Sequence, residues 1–277
     1  MADPAPFSVA IITLNEERNL GRCLRSVAFA ADVVVLDSGS TDRTRELARD
    51  LGARVIEEPW RGFAAQKNRA AALGRYPWVL SLDADEWLAE GSEREIREAL
   101  AAPRADAYAF DRVSSFSGGF VRRTWGKDRH LRLYRKDRAR FEGAHVHESL
   151  RLDAGSATAR LASPLYHLSY RSISDYVDRM NRYTTLAARA LEERGTRFSA
   201  GRVVVSPAAA FAKHYLLKGG WRDGMRGFVV SAGSAFYVLL KYAKLWEATR
   251  EVDREFRGLV PPTPEDPEPD ATSPQSR

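Results

Sequence analysis

The sequence predicts an α/β fold, a mostly parallel sheet flanked by helices and followed by a helical C-terminal region. Three observations lead there. Short apolar runs alternate with helix-period segments through the first hundred residues, at a spacing that fits right-handed βαβ crossovers. Several of these runs close on a polar cluster, at the carboxyl ends of strands where sheets of this kind bind ligands. The 277 residues, 44% of them hydrophobic, suffice for a core that folds alone.

In chain order, "SVAIIT" (8–13) is the first strand and "EERNLGRCLRSV" (16–27) the helix after it. "DVVVLDS" (32–38) leads into "TDRTRELARDLG" (41–52), with Ser40 or Thr41 placed as N-cap and Asp42 in the first turn. The cycle repeats through "ARVIEE" (53–58), "FAAQKNRAAAL" (63–73) and "WVLSLD" (78–83). From 105 to about 170 the pattern loosens into short strands and loops, with "SFSGGF" (115–120) as a turn and "RHLRLYRK" (129–136) as an alternating strand. A long helical pattern covers 172–195. Residues 203–246 are apolar and aromatic, interrupted by "KGGWRDGMRG" (218–227). The tail 261–277, rich in proline and acid, is expected to be disordered.

The single cysteine, Cys23, excludes an internal disulfide framework and a thiol zinc cluster, which fits a reducing compartment. No leader pattern precedes the first strand, so a cytoplasmic location is expected. The net charge of +6 is uneven: residues 1–110 carry 14 Lys/Arg against 18 Asp/Glu, whereas 111–257 carry 28 against 15. A basic second half suits an anionic partner such as nucleic acid, a phosphorylated glycolipid or an acidic membrane face. No G-x-G-x-x-G or G-x-x-x-x-G-K-[ST] loop is present, which argues against dinucleotide dehydrogenases and P-loop enzymes.

The polar strand ends hold the candidate chemistry. In "SLDADEW" (81–87), Asp83 and Asp85 stand one residue apart, and two such charges need a compensating cation. Hard oxygen ligands suit Mg²⁺ or Mn²⁺, completed by substrate phosphates. The site is expected on a solvent-facing rim. Glu86 and Trp87 either pack or touch a ligand.

The set "VAIITLNEERNL", "VVVLDSGSTDRT", "GFAAQKNRAA" and "WVLSLDADEWL", in this order, resembles family 2 glycosyltransferases of the GT-A (nucleotide-diphospho-sugar transferase) fold. The resemblance implies that Thr13, Asn15 and Glu16 line base and ribose and that Asp37 hydrogen-bonds the nucleoside. It sets Lys67 and Asn68 near nucleotide or phosphate, and Asp83 and Asp85, the D-x-D motif, against the metal. "RHLRLYRKDRARFEGAHVHESL" (129–150) and "KGGWRDGMRGFVVSAGSAFYVLLKYAKLWE" (218–247) look like the branch containing lipopolysaccharide-core β-glucosyltransferases.

The implied enzyme is a metal-dependent, inverting glycosyltransferase using a nucleotide-diphospho-sugar, a UDP-sugar by expectation, and an envelope glycan or glycolipid acceptor such as lipopolysaccharide. "HVHES" (145–149) supplies its general base: Glu148 is favoured, with His147 or Asp128 as alternatives. Arg132, in "RHLRLYR", is a phosphate or anionic-acceptor contact, or part of a solvated edge with Arg129 and Arg135.

Four segments follow: a nucleotide-sugar-binding half (1–104), an acceptor-side half (105–200), an apolar and basic membrane-association region (201–258) and a disordered tail (259–277). Between Arg226 and Lys241 lie 14 uncharged residues, short of the roughly 20 that span a bilayer as a helix. The segment therefore reads as a helix lying in the membrane interface, peripheral on the inner face of the cytoplasmic membrane, or as an ordinary core helix. No nucleic-acid partner is expected. The rival functions are a nucleotidyltransferase and a catalytically inactive glycan- or nucleic-acid-binding protein.

Overall fold

The structure, a computed structural model, describes residues 4–126, 128–143 and 148–250. The described residues form two compact units: 4–114 with 128–143 and 148–169, and 115–126 with 170–250.

The first unit is built on β1 (Phe7–Thr13), β2 (Asp32–Asp37), β3 (Arg54–Glu57) and β4 (Trp78–Asp83), linked by α1 (Leu20–Ser26), α2 (Thr44–Asp50) and α3 (Phe63–Leu73). β5 (Glu86–Leu88) and α4 (Ser92–Ala101) follow, then β6 (Ala107–Phe116), β8 (Asp128–Arg135), β9 (Ala139–Glu142), β10 (Ser149–Leu152), β11 (Thr158–Arg160) and β12 (Leu165–Tyr170); β7 (Gly119–Val121) falls in the second unit. The strand path is β3-β2-β1-β4-β8-β6-β12-β5, and β9 and β10 form a separate hairpin.

The parallel pairing expected from the βαβ pattern holds for β1 to β4. Beyond them β4 pairs with β8, β8 with β6 and β12 with β5 antiparallel, whereas β11 joins β6 in parallel. Alternate residues of β1 feed opposite faces: Val9 and Ile11 pack with α1 and α4 through Leu20, Leu24 and Ile96, while Ala10 and Ile12 pack with Ala70, Ala71 and Tyr134. A strand covered on both faces reads as a continuous apolar run, which is why "SVAIIT" does not alternate.

The connection order makes β1 and β4 the switch point. From β1 the chain winds outward through β2 to β3, then returns to place β4 on the other side of β1. The loops after β1 and β4 therefore diverge to opposite faces and leave a crevice at their carboxyl ends. Register sets Ile12 beside Asp83 and Thr13 beside Asp37 at that end.

α2 begins at Thr44, later than the sequence pattern suggests, because the caps are distributed differently. Asp42 Oδ1 accepts the Thr44 N–H at 3.0 Å, whereas the Ser40 hydroxyl is given to Asp37.

In the second unit, α5 (Ile173–Glu193) and α7 (Gly224–Thr249) gather around Phe116, Val121, Tyr176, Met180 and Val230, and α6 (Ala200–Ala212) packs on α7. A π-turn (Lys213–Leu217) and a 3₁₀ turn (Gly220–Asp223) join α6 to α7. Gly227 lies against this connection so closely that a Cβ there would stand 1.9 Å from the Gly220 carbonyl. Asp223 fastens the loop 122–124 to the turn, accepting from the N–H groups of Arg122 (3.1 Å), Arg123 (2.9 Å) and Thr124 (2.9 Å) and from the Thr124 hydroxyl. Tyr176, buried among apolar neighbours, has its phenol pushed up to about 12.

Candidate active site

The carboxyl ends of β1, β2 and β4 present the residues singled out from the sequence, but not on a solvent-facing rim. Asp83 is 9% exposed, Asp85 4% and Glu86 0%. Burial of three acids is tolerable only with cations among them, and Lys67, Arg132 and Arg112 provide them. Lys67, on α3, is 2% exposed and sets Nζ 2.8 Å from Asp83 Oδ1 and 2.9 Å from Glu148 Oε1. Arg132, on β8, reaches Asp83 Oδ2 at 3.1 Å and Glu86 Oε1 at 2.6 Å through one Nη2. The motif aspartate and the favoured base, 65 positions apart in sequence, thus share one ammonium.

Glu86 works inward. Its Oε2 accepts the Asp83 N–H at 3.1 Å and closes the turn, while Oε1 faces Arg132 and Arg112 (3.5 Å). Burial alone would raise its pKa, but the charges of Arg132 and Arg112, with His167, outweigh it and hold the carboxyl below its usual range. The same field holds Arg132 protonated, its guanidinium pushed above its already high value despite burial. Burial, then the Glu86 and Asp85 charges, push the Cys23 thiol up, so Cys23 is a buried core group beside the acids.

Asp85 differs from its neighbours. Neither of its buried carboxylate oxygens accepts a hydrogen bond among the described residues, although His167 Nε2 stands 3.3 Å from Oδ2 outside hydrogen-bonding geometry. His167 is oriented through Nδ1 by the Ser169 hydroxyl at 2.8 Å. Among the described residues no three His, Cys, Asp or Glu side chains form a ready-made metal cage. Buried, unsatisfied hard oxygens on Asp85 nonetheless fit a divalent cation whose remaining positions are filled by phosphate and water.

Around β1 and β2, Thr13 is buried and its Oγ1 lacks a hydrogen-bond partner among the described residues. Asn15, at φ 55°, donates its N–H to Ser40 Oγ (2.8 Å) and accepts the Thr41 N–H on Oδ1 (2.8 Å), pinning the β1 loop to the β2 loop. Glu16 is buried and accepts from Asn19 Nδ2 at 2.6 Å. Asp37 Oδ1 takes the N–H groups of Gly39 (3.0 Å) and Ser40 (2.8 Å), shaping the turn after β2.

Asn68 spends its amide on both backbone groups of Phe141, each at 2.8 Å, and so ties α3 to β9. Of the three arginines in "RHLRLYR", Arg132 enters the site. Arg129 pairs with Asp111 and Arg135 with Asp137. Asp128 sits between Arg112 (2.8 Å) and His130 (2.7 Å); burial raises its pKa, but these partners prevail and hold the carboxyl far below its usual range. His147 lies outside the described residues, as do His145 and the tail 259–277.

Sequence reading missed Arg112, on β6, and His167, on β12. Neither stands in a motif, and long-range strand pairing alone brings them to the acids.

A buried carboxylate turn at the switch point of a half-parallel sheet, with basic groups behind it, belongs to the GT-A class of glycosyltransferases. The chain is a member of glycosyl transferase family 2, whose family model matches residues 8–151. It is 34% identical over 257 residues to the lipopolysaccharide core biosynthesis glycosyltransferase LpsC of Rhizobium meliloti (strain 1021), covering 89% of this chain and 94% of that protein. It is 33% identical to the uncharacterized glycosyltransferase RT0209 of Rickettsia typhi, over 92% of this chain and 90% of the other. Among solved structures, residues 1–349 of S. aureus TarS superpose with a TM-score of 0.44 at 16% identity, covering 88% of this chain and 90% of that one.

Proposed function

We propose that this glycosyltransferase is an inverting enzyme that moves a sugar from a nucleoside-diphosphate donor, a UDP-sugar, to an envelope glycan or glycolipid, the lipopolysaccharide core foremost. One observation carries the chemistry: Asp83, on the turn that holds Asp85, is joined through buried Lys67 to Glu148, at 2.8 and 2.9 Å. The likeness to LpsC along 89% of the chain supports the choice of acceptor.

Asp85, together with Asp83, would hold Mg²⁺ or Mn²⁺. The cation, when bound, supplies counter-charge for the departing diphosphate. The chain's own residues do the rest. Thr13, Asn15, Glu16 and Asp37 line base and ribose at the ends of β1 and β2. Lys67 and Arg132 are fixed positive charges, already desolvated, in the region where the diphosphate gains negative charge. Asn68 acts through the β9 hairpin it anchors.

Glu148 accepts the acceptor hydroxyl's proton in a one-step displacement, with the Lys67 ammonium 2.9 Å from its Oε1. His147 is the other candidate. Asp128 is the weakest, because Arg112 and His130 hold its carboxyl too acidic for the task. Residues 1–104 would bind the nucleotide sugar, 105–200 the acceptor, and 201–258 a membrane surface, the protein working from the inner face of the cytoplasmic membrane.

The test is a thermal-shift panel of nucleotide sugars with and without Mn²⁺, followed by transfer of labelled sugar to truncated lipopolysaccharide and NMR of the product anomer. A metal-dependent rise in melting temperature with a UDP-sugar and an inverted product are expected. No donor response, or retention of configuration, overturns the reading.

A further inference from the structure

The connection between α6 and α7 is apolar where it meets solvent. Leu217 is 84% exposed and Met225 76%, and Leu216 and Trp221 flank them at 60% and 53%. Singly such residues need no explanation, but four on one turn form a cluster that a soluble surface seldom carries.

The charges around it have one sign. Lys213, Lys218, Arg222 and Arg226 belong to the connection and the start of α7, Lys218 and Arg226 also donating to the carbonyls of Trp125 and of Phe116 and Ser117, and Arg122 and Arg123 are brought beside it by their N–H bonds to Asp223. Asp223 is the acid of this set, and its carboxylate is occupied by the loop it fastens. The Arg222 guanidinium lies 4.8 Å from the Trp221 ring, a pairing suited to an interface that is apolar on one side and ionic on the other.

Elsewhere in the helical region Val204 (74%) and Val205 (65%) of α6 are also exposed, but with Arg202 as the one basic residue of that helix rather than a set of cations. Tyr237 packs onto the cluster around Phe116 and Tyr176, Phe228 is stacked edge-on to Phe211 and Tyr215, and Trp246 packs against Phe198. Lys244 is spent on Asn181, Thr184 and Thr185 of α5. The helical stretch Gly220–Thr249, the 3₁₀ turn and α7 together, is long and apolar enough to be a candidate span on composition, with 17% of the relevant window buried. Its start, however, carries the charged turn and Arg226.

From this juxtaposition we infer that the α6–α7 turn docks end-on into an anionic lipid bilayer, with Leu216, Leu217, Trp221 and Met225 entering the headgroup boundary and the surrounding lysines and arginines meeting lipid phosphates. The inference rests on the proposed membrane association and narrows it from a helix lying flat to one turn. Gly227 makes this attitude possible, since its missing side chain lets the turn fold tightly onto α7.

The experiment uses the full chain with phosphatidylcholine vesicles containing or lacking phosphatidylglycerol. Wild type is expected to co-sediment with the anionic vesicles and to be released by salt, and brominated lipid is expected to quench Trp221, an effect lost in Trp221→Phe. Leu217→Asp with Met225→Asp is expected to lower the partition coefficient by at least about tenfold, and Lys213→Gln with Arg222→Gln by about thirtyfold. Both pairs should keep the wild-type melting temperature and donor-induced thermal shift. Phe236→Asp should bind as wild type does.

Loss of binding in Phe236→Asp with retention in Leu217→Asp/Met225→Asp overturns the end-on turn and leaves the membrane reading standing. Failure of wild type to bind any vesicle overturns both, while the donor response separately decides sugar transfer. Binding that resists salt and alkaline extraction indicates a spanning helix, and a dimer dissolved by Leu217→Asp indicates a second copy as occupant. Either result refutes the inference.

Discussion

Replacing Lys67 with methionine keeps most of the side-chain volume and removes the charge between two acids. Lys67 is 2% exposed and stands 2.8 Å from Asp83 and 2.9 Å from Glu148. At an effective dielectric of about 20, each contact carries a bare attraction of about 6 kcal/mol. Desolvation of the three groups cancels much of that, and removing one partner of a buried ion pair costs about 3–5 kcal/mol in practice. Asp83 keeps Arg132 at 3.1 Å, so the loss should fall at the lower end, about 3 kcal/mol.

Urea unfolding of the full chain near neutral pH reads it. With a slope of about 3 kcal/mol per M, the midpoint should drop by about 1 M. Lys67→Met with Glu148→Gln should recover roughly half, because a neutral amide replaces one of the opposed carboxylates. A single variant within about 0.5 kcal/mol of wild type, or a double variant no better than the single, refutes the shared-lysine account.

Three other outcomes test the site and the fold. Glu148→Gln should slow transfer about 10²–10⁴-fold while leaving donor affinity nearly unchanged; if it stays near wild type while His147→Ala is dead, His147 is the base. Asp85→Asn should abolish transfer yet melt at or above the wild-type temperature, since the lost charge is buried and accepts no hydrogen bond among the described residues. Asp223→Ala strands three backbone donors and a hydroxyl and should cost about 2–3 kcal/mol. Burial raises the Asp223 pKa, but these hydrogen bonds outweigh it and depress it, so its stabilisation is complete above the ordinary carboxylate pKa and fades as pH falls through the folded value. The melting gap between wild type and Asp223→Ala should therefore narrow below about pH 4, and a gap that widens there refutes the assignment.

The strands β1 to β4 and helices α3 and α5 are legible because their signal is local: an apolar run, a 3.6-residue period, a change at each polar cluster. Pairing direction beyond β4 is not, since "RHLRLYR" alternates as any half-buried strand does and nothing in it says that it runs antiparallel to β4. The acids were visible, but their burial was not, because it depends on Lys67 and Arg132 arriving from α3 and β8. Glu86 was undecidable for the same reason. Its role exists only once Arg112 and Arg132 are beside it.

The pairing of β1 has a consequence for how the chain is made. In one ladder Ile12 meets Leu36, 24 residues on, and in the other it is level with Asp83, 71 residues on. Closing the longer loop costs about 1 kcal/mol more in chain entropy, and it has to wait until β4 has emerged from the ribosome. Until then β1 to β3 can assemble, but one side of β1 stays an open, largely apolar strand edge, the kind that recruits other chains. The residue that ends this exposure is Asp83 or one close to it. Synthesis thus gathers the repelling acids at the same moment that it seals the edge, so a ribosome stalled before β4 has emerged would hold a chain with that edge of β1 still open.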